Sequence, residues 1–220
     1  MNLQVDLIIY DKMSGIPTCG CRVFIKHYWG DIKMKKETNR FTLLTTAAIM
    51  MALICVMTMV IKIPTPTKGY VNLGDSFVLL SGWLLGPAYG FFAAGVGSAL
   101  ADLISGYPVY IPGTLVIKGL MAVAAALIPA AISRGKEKYF HITWIAGLII
   151  AEIIMILGYY LYEAFVIGLG FVPALAGVAG NAMQAIAGAL GAYFFSAIIS
   201  RTDIVKSFGV FEFTKGGKKQ

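Results

Sequence analysis

Charge is scarce in this chain: only 13% of its 220 residues are Asp, Glu, Lys or Arg, and 58% are hydrophobic. A soluble domain needs a charged surface, so this balance, with a mean hydropathy of +0.78, excludes an ordinary soluble fold. Histidine is nearly absent, with His27 in the leading segment and His141 at the start of a hydrophobic span. No H-E-x-x-H or G-x-S-x-G pattern and no paired aspartates of protease spacing occur, which argues against an intramembrane hydrolase. The three cysteines include Cys19 and Cys21 as a C-x-C without a second ligand pair, which excludes a zinc module of the usual spacing. A G-x-x-x-x-G-K-[ST] phosphate loop is also missing, so the chain hydrolyses no ATP by that device.

Long hydrophobic runs are what the sequence does have. Phe41 to Ile61 is uncharged and long enough to cross a bilayer. Leu73 to Leu85 and Ala88 to Ile104 are shorter and are parted by Gly86-Pro87, a turn signal. Pro112 to Ile132 carries only Lys118, Ile142 to Ile167 carries Glu152 and Glu163, and Pro173 to Ile199 carries no formal charge. These runs predict an all-α integral membrane protein of six transmembrane helices spanning 34–205, followed by a basic tail at 206–220.

The net charge of +7 sits between and beyond the spans rather than on a face that could follow a nucleic acid. Lys33, Lys35, Lys36 and Arg40 precede the first span; Arg134, Lys136 and Lys138 separate the fourth from the fifth; Arg201, Lys206, Lys215, Lys218 and Lys219 follow the sixth. All fall on one side of a six-span thread, and the positive-inside rule puts that side, with both termini, in the cytoplasm. Residues 1–33 hold no span and no signal-peptide core, and Met34-Lys35-Lys36 reads as a natural start, so 1–33 is expected to be a disordered leader or an over-extended start.

Five ionisable residues lie within the hydrophobic runs: Asp75, Asp102, Lys118, Glu152 and Glu163. Each costs about 2.5–3.5 kcal/mol at mid-bilayer even on the lenient insertion scale. At about 1.5 Å per residue, Asp75, Asp102, Lys118 and Glu163 fall in the outer third, and Glu152 alone lies near the midplane. Tyr159 shares the Glu163 face one turn deeper, and Asn181 and Gln184 share a face of the last span. Together with Asn72 and an outer-loop tyrosine, Tyr107 or Tyr110, they predict a polar pocket open to the outside.

Structural readings stand beside this one. Lys118 would neutralise Asp102 across a helix pair, Asp75 would cap a helix start after Asn72 and Gly74, and Asn181 and Gln184 would join helices. Glu152 near the midplane keeps open a self-sufficient proton-coupled secondary transporter, although no inverted repeat is visible. Small-residue stripes at Gly90, Ala94 and Ser98, and at Gly188, Ala192, Ser196 and Ser200, predict close helix packing. The Ala48-x-x-x-Ala52 patch in an otherwise bulky first span could dock another membrane subunit.

Several stretches resemble the S components of energy-coupling factor (ECF) vitamin transporters. They are Asn72-Leu-Gly-Asp-Ser76, the run from Gly82 to Gly90, Gly97 to Asp102 through Pro108, Ile117-Lys-Gly-Leu120, Gly158 to Glu163 and Gly180 to Gln184. The resemblance covers about residues 38–200 and is closest to the hydroxymethylpyrimidine or pyridoxine branch. It implies a six-helix capture subunit of the bacterial cytoplasmic membrane that binds a vitamin from outside. A transmembrane T subunit and two cytoplasmic ATPases would then use ATP to tip it inward, so no cofactor is expected on this chain. It further implies that Ala48 and Ala52 meet the T subunit, that 64–71 lids the site, and that Asn72, Asp75, Tyr107, Lys118, Tyr159, Glu163, Asn181 and Gln184 bind cargo.

Overall fold

The computed structural model describes residues 40–60, 62–64, 70–133 and 140–200. The expected leader, the basic tail and most of the Lys/Arg clusters lie outside these. Among the described residues, five helices are long and apolar enough to cross a membrane. Helix α1 runs Arg40–Val60 and inserts Ala47, Met50, Ile54 and Thr58 into the bundle. That three-to-four-residue spacing is one helix face, and Ile49, Leu53 and Val56 on the other faces are exposed to lipid. After α1 the chain forms an antiparallel hairpin, β1 (Lys62–Pro64) with β2 (Tyr70–Asn72), Ile63 opposite Val71. This small sheet, unforeseen in an all-α reading, adds strand structure at the segment expected to be a lid.

Helix α2 covers Asp75–Ser105 and is broken at Gly86, whose φ of 75° and ψ of −179° are not helical. A positive φ favours glycine, and Pro87 next to it lacks the N–H that would continue the helical ladder. The break turns the chain back sharply. A Cβ on Gly90 would stand 2.9 Å from Cα of Gly82, whereas eight residues of straight helix would separate them by about 12 Å. Two expected runs are therefore one element with two arms that touch near the bend.

A 3₁₀ turn at Pro108–Tyr110 leads into α3 (Ile111–Ser133). Helix α4 (Phe140–Leu161) ends in a π-helical turn, Tyr162–Val166, where Ile167 N–H donates to the Tyr162 carbonyl. Helix α5 (Phe171–Ile199) buries a stripe of small and polar residues, among them Ala174, Gly177, Asn181, Gln184, Gly188, Ala192 and Ser196. The apolar core lies toward the bend of α2, where Trp83 and Trp144 stack with ring centroids 5.8 Å apart. There the Trp144 indole donates to Ser196 Oγ at 3.0 Å. Polar residues are gathered at the other end.

Candidate functional site

The site is built on a buried ion pair. Lys118 of α3 pairs with Asp75 at the start of α2, with 2% and 0% of their side chains exposed. Gln184 of α5 donates from Nε2 to the second Asp75 oxygen at 2.7 Å, and its Oε1 accepts from the Asn72 N–H at 2.8 Å. Asn72 Oδ1 in turn accepts from the Gly74 N–H at 2.8 Å. Four segments of chain are thus tied through one carboxylate.

The expectation for Lys118 is corrected here: its partner is Asp75, not Asp102. A Cβ on Gly188 of α5 would meet Asp75 Cβ at 2.7 Å and Glu152 Oε1 at 2.6 Å, so Asp75 lies beside Glu152, a residue that the linear thread sets at a different depth. Asp75 reads as a helix-start residue in the sequence, yet the ammonium and amide groups that meet it come from other elements.

Above this pair lies a cavity with about 430 Å³ of empty space, its mouth included. Of the residues singled out in the sequence, Asn72, Lys118, Tyr159, Glu163, Asn181 and Gln184 line it together, and so does Tyr110. Asp75 sits beneath it, engaged with Lys118 and Gln184. Tyr107 is not in the wall; its ring packs against Tyr70 at 4.8 Å. The π turn completes the α4 wall, because Tyr159 and Glu163 on one face enter the cavity. Tyr110 donates to Glu163 Oε1 at 3.2 Å, and Tyr159 donates to Thr114 Oγ1 at 3.0 Å.

Sequence reasoning missed Thr58, Tyr70, Ser98 and Thr114 as wall residues; Asp102, counted in the polar cluster but not among the cargo-binding residues, is in the wall as well. Lone hydroxyl residues in apolar spans carry no signal that separates a wall from a helix contact. Tyr70 reaches from β2 and donates to Asp102 Oδ1 at 2.6 Å. Burial pushes its phenol well above the usual tyrosine range, and the neighbouring Asp102 charge adds to that rise, so it remains a donor. Lys62 of β1 donates to Ser105 Oγ at 2.8 Å and lies 5.8 Å from the Tyr70 ring centroid. The hairpin is fastened to the end of α2 by these bonds.

Ala48 and Ala52 are both exposed on α1, next to Ile49 and Leu53, and take no part in the cavity. Among the described residues no cluster of three or more His, Cys, Asp or Glu could hold a metal ion.

Three comparisons bear on this arrangement. Residues 39–201 match the family model described as ECF-type riboflavin transporter, S component. A Pyrococcus woesei protein described as "Uncharacterized protein in gap 3'region" is 40% identical over 136 residues, 61% of this chain and 86% of that protein. A solved structure titled "Structure and mechanism of the S component of a bacterial ECF transporter" aligns with a TM-score of 0.57 at 21% identity, covering 74% of this chain and 98% of that one, and so shares its fold. With a matched stretch that takes in all five apolar helices and the whole cavity, the chain belongs to the ECF-type riboflavin transporter S component family, as a multi-pass membrane protein and a substrate-binding subunit of an ECF transporter.

Proposed function

We propose that this subunit captures a small, polar, single-ring vitamin or vitamin precursor of the hydroxymethylpyrimidine or pyridoxine kind. One observation carries the reading: among the described residues, every side chain in the cavity wall bears a hydroxyl, carboxylate, amide or ammonium, and none is aliphatic. A one-ring compound ringed by hydroxyls and nitrogens satisfies such a wall. Riboflavin, which gives the family its name, is a three-ring compound whose dimethylbenzene edge brings no hydrogen-bonding group to these side chains. Tyr110 and Tyr159, with centroids 6.4 Å apart, offer ring faces to a flat cargo.

The transport cycle follows the family pattern. The two arms of α2, meeting at Gly86, count as separate crossings, which gives six and sets both termini in the cytoplasm. The cavity then opens outward from the cytoplasmic membrane. The exposed Ala48 and Ala52 on α1 form the face for a transmembrane T subunit, and two ATPases bound to it hydrolyse the ATP.

Calorimetric titration of the purified full chain in detergent with hydroxymethylpyrimidine, pyridoxine, thiamine, riboflavin and pantothenate tests this. Saturable, ATP-independent binding of hydroxymethylpyrimidine or pyridoxine supports the reading. Tight binding of riboflavin alone refutes the cargo assignment and leaves the capture role standing. Loss of T-subunit co-purification in Ala48→Leu, with cargo binding kept, supports the docking face; unchanged co-purification refutes it.

A further inference from the structure

We propose that Asp102 and Ser98 form the selecting edge of the cavity and read an exocyclic amino group, so that the cargo presents an N–C=N edge rather than a carbonyl edge. This rests on the capture reading above and narrows its substrate class.

Three observations carry it. Asp102 Oδ2 and Ser98 Oγ are both buried and have no hydrogen-bond partner, and both residues belong to the cavity wall. Asp102 is 4% and Ser98 1% exposed, so both are buried within the bundle. Secondly, they lie four residues apart on the second arm of α2, which brings both onto one face about 5–6 Å apart at Cβ. Thirdly, the Asp102 carboxylate is held in orientation. Tyr70 takes Oδ1 at 2.6 Å, which leaves Oδ2 as the oxygen available to a ligand.

The cation that would otherwise answer Asp102 is committed elsewhere, since Lys118 is paired with Asp75. Thr114 is a hydrogen-bonding neighbour of the Asp102 carboxylate and Lys118 and Lys62 act on it through their charge, yet Oδ2 has no partner within hydrogen-bond distance. A buried acceptor left unmade is expensive, and a charged one more so. Within a bundle surrounded by lipid, a donor reaches Oδ2 by way of the cavity, and a cargo group placed there displaces whatever water occupies it.

An amino group on a heteroaromatic ring supplies that donor to Asp102, and the adjoining ring nitrogen accepts from the Ser98 hydroxyl. A carbonyl at the same ring position would set its lone pairs against the carboxylate. Sites built to hydrogen-bond one group reject the analogue lacking it strongly, so the expected discrimination is at least ~100-fold.

The test titrates the full chain in detergent with 4-amino-5-hydroxymethyl-2-methylpyrimidine, its 4-oxo counterpart, pyridoxine and riboflavin. The wild type is expected to favour the amino compound by at least ~100-fold. Asp102→Asn keeps an oxygen for Tyr70 and turns an amide donor toward the cargo, so the preference should reverse toward the 4-oxo compound. Ser98→Ala should weaken the amino compound by roughly 10-fold without a reversal. Equal binding of the two pyrimidines by the wild type overturns the proposal, even if a variant fails to fold. So does an Asp102→Asn protein that keeps the original preference. Tight binding of pyridoxine or riboflavin with neither pyrimidine overturns this selecting edge alone and leaves capture intact. Binding of nothing in the panel by protein with a normal thermal transition overturns both.

Discussion

Lys118→Met isolates what the buried ion pair does. Methionine keeps much of the lysine stem, so packing is largely preserved and the loss is that of the ammonium. Asp75, fully buried, would keep only the Gln184 amide on one oxygen. Removing one partner of a buried pair costs about 3–5 kcal/mol because the remaining charge is uncompensated. The Lys118 ammonium also lies 5.5 Å from the Tyr159 ring centroid, a smaller contribution lost with it. For a domain of this size that is a fall of about 6–20 °C in melting midpoint. The assay is thermal unfolding of ligand-free protein in detergent, followed by the fluorescence of Trp83 and Trp144. Adding Asp75→Asn should recover part of the loss, with a coupling of about 2–3 kcal/mol between the two sites. A parallel cycle of Lys118→Met with Asp102→Asn should couple by less than about 0.5 kcal/mol, because those two residues do not pair. A Lys118→Met protein melting within about 2 °C of the wild type would refute the reasoning. Strong coupling to Asp102 in place of Asp75 would refute it too.

Gly188→Ala puts a Cβ 2.6 Å from Glu152 Oε1 and 2.7 Å from Asp75 Cβ, closer than atoms pack, and should cost about 1–3 kcal/mol, read as a lower unfolding midpoint. Both Glu152 oxygens are buried without a hydrogen bond, so Glu152→Met should raise the midpoint while leaving cargo affinity within about twofold. Loss of uptake in Glu152→Met with binding intact would instead favour a proton-carrying role for this residue. Tyr70→Phe removes the bond that fastens the hairpin to Asp102, and cargo should dissociate about 10–100-fold faster in a stopped-flow measurement. The raised phenol also sets an alkaline signature. Below pH 10.0 it is protonated whether the chain is folded or not; above it only the unfolded chain ionises there, so stability falls with rising pH. Tyr70→Phe should show a shallower fall above that pH in a melting series.

How much was legible in the sequence depended on whether a signal was periodic or pairwise. The apolar runs matched the helices to within about two residues, since a span is defined by composition over many positions. Tyr159 with Glu163, and Asn181 with Gln184, reached one cavity because helical spacing alone puts each pair on a shared face. The partner of Lys118 was different. Asp75 and Asp102 were both at reach from a linear thread, and only the packing of α2 against α3 decides between them. Thr58, Ser98 and Thr114 were silent for a similar reason, as a hydroxyl within a span marks a wall only once its neighbours are known.

The charge balance of the site explains why the hairpin and the cargo belong to one event. Asp75, beneath the cavity, and Lys118, in its wall, neutralise each other, so a ligand can draw on either charge only at some cost to the fold. Asp102 is arranged otherwise, with one oxygen taken by Tyr70 from the hairpin and the other turned to the cavity. A donor arriving at Oδ2 holds the carboxylate in the orientation that Tyr70 needs, and Tyr70 at Oδ1 holds it in the orientation that the donor needs. Each partner therefore binds better when the other is present, and the coupling is reciprocal. An outward-facing capture subunit requires that property, since a cavity that closes only around cargo releases little of what it has bound. Cargo at one hundred times its Kd should stabilise the fold by about 2.7 kcal/mol. In Tyr70→Phe the stabilisation at the same concentration should shrink, because the cargo then orients a carboxylate that nothing from the hairpin grips.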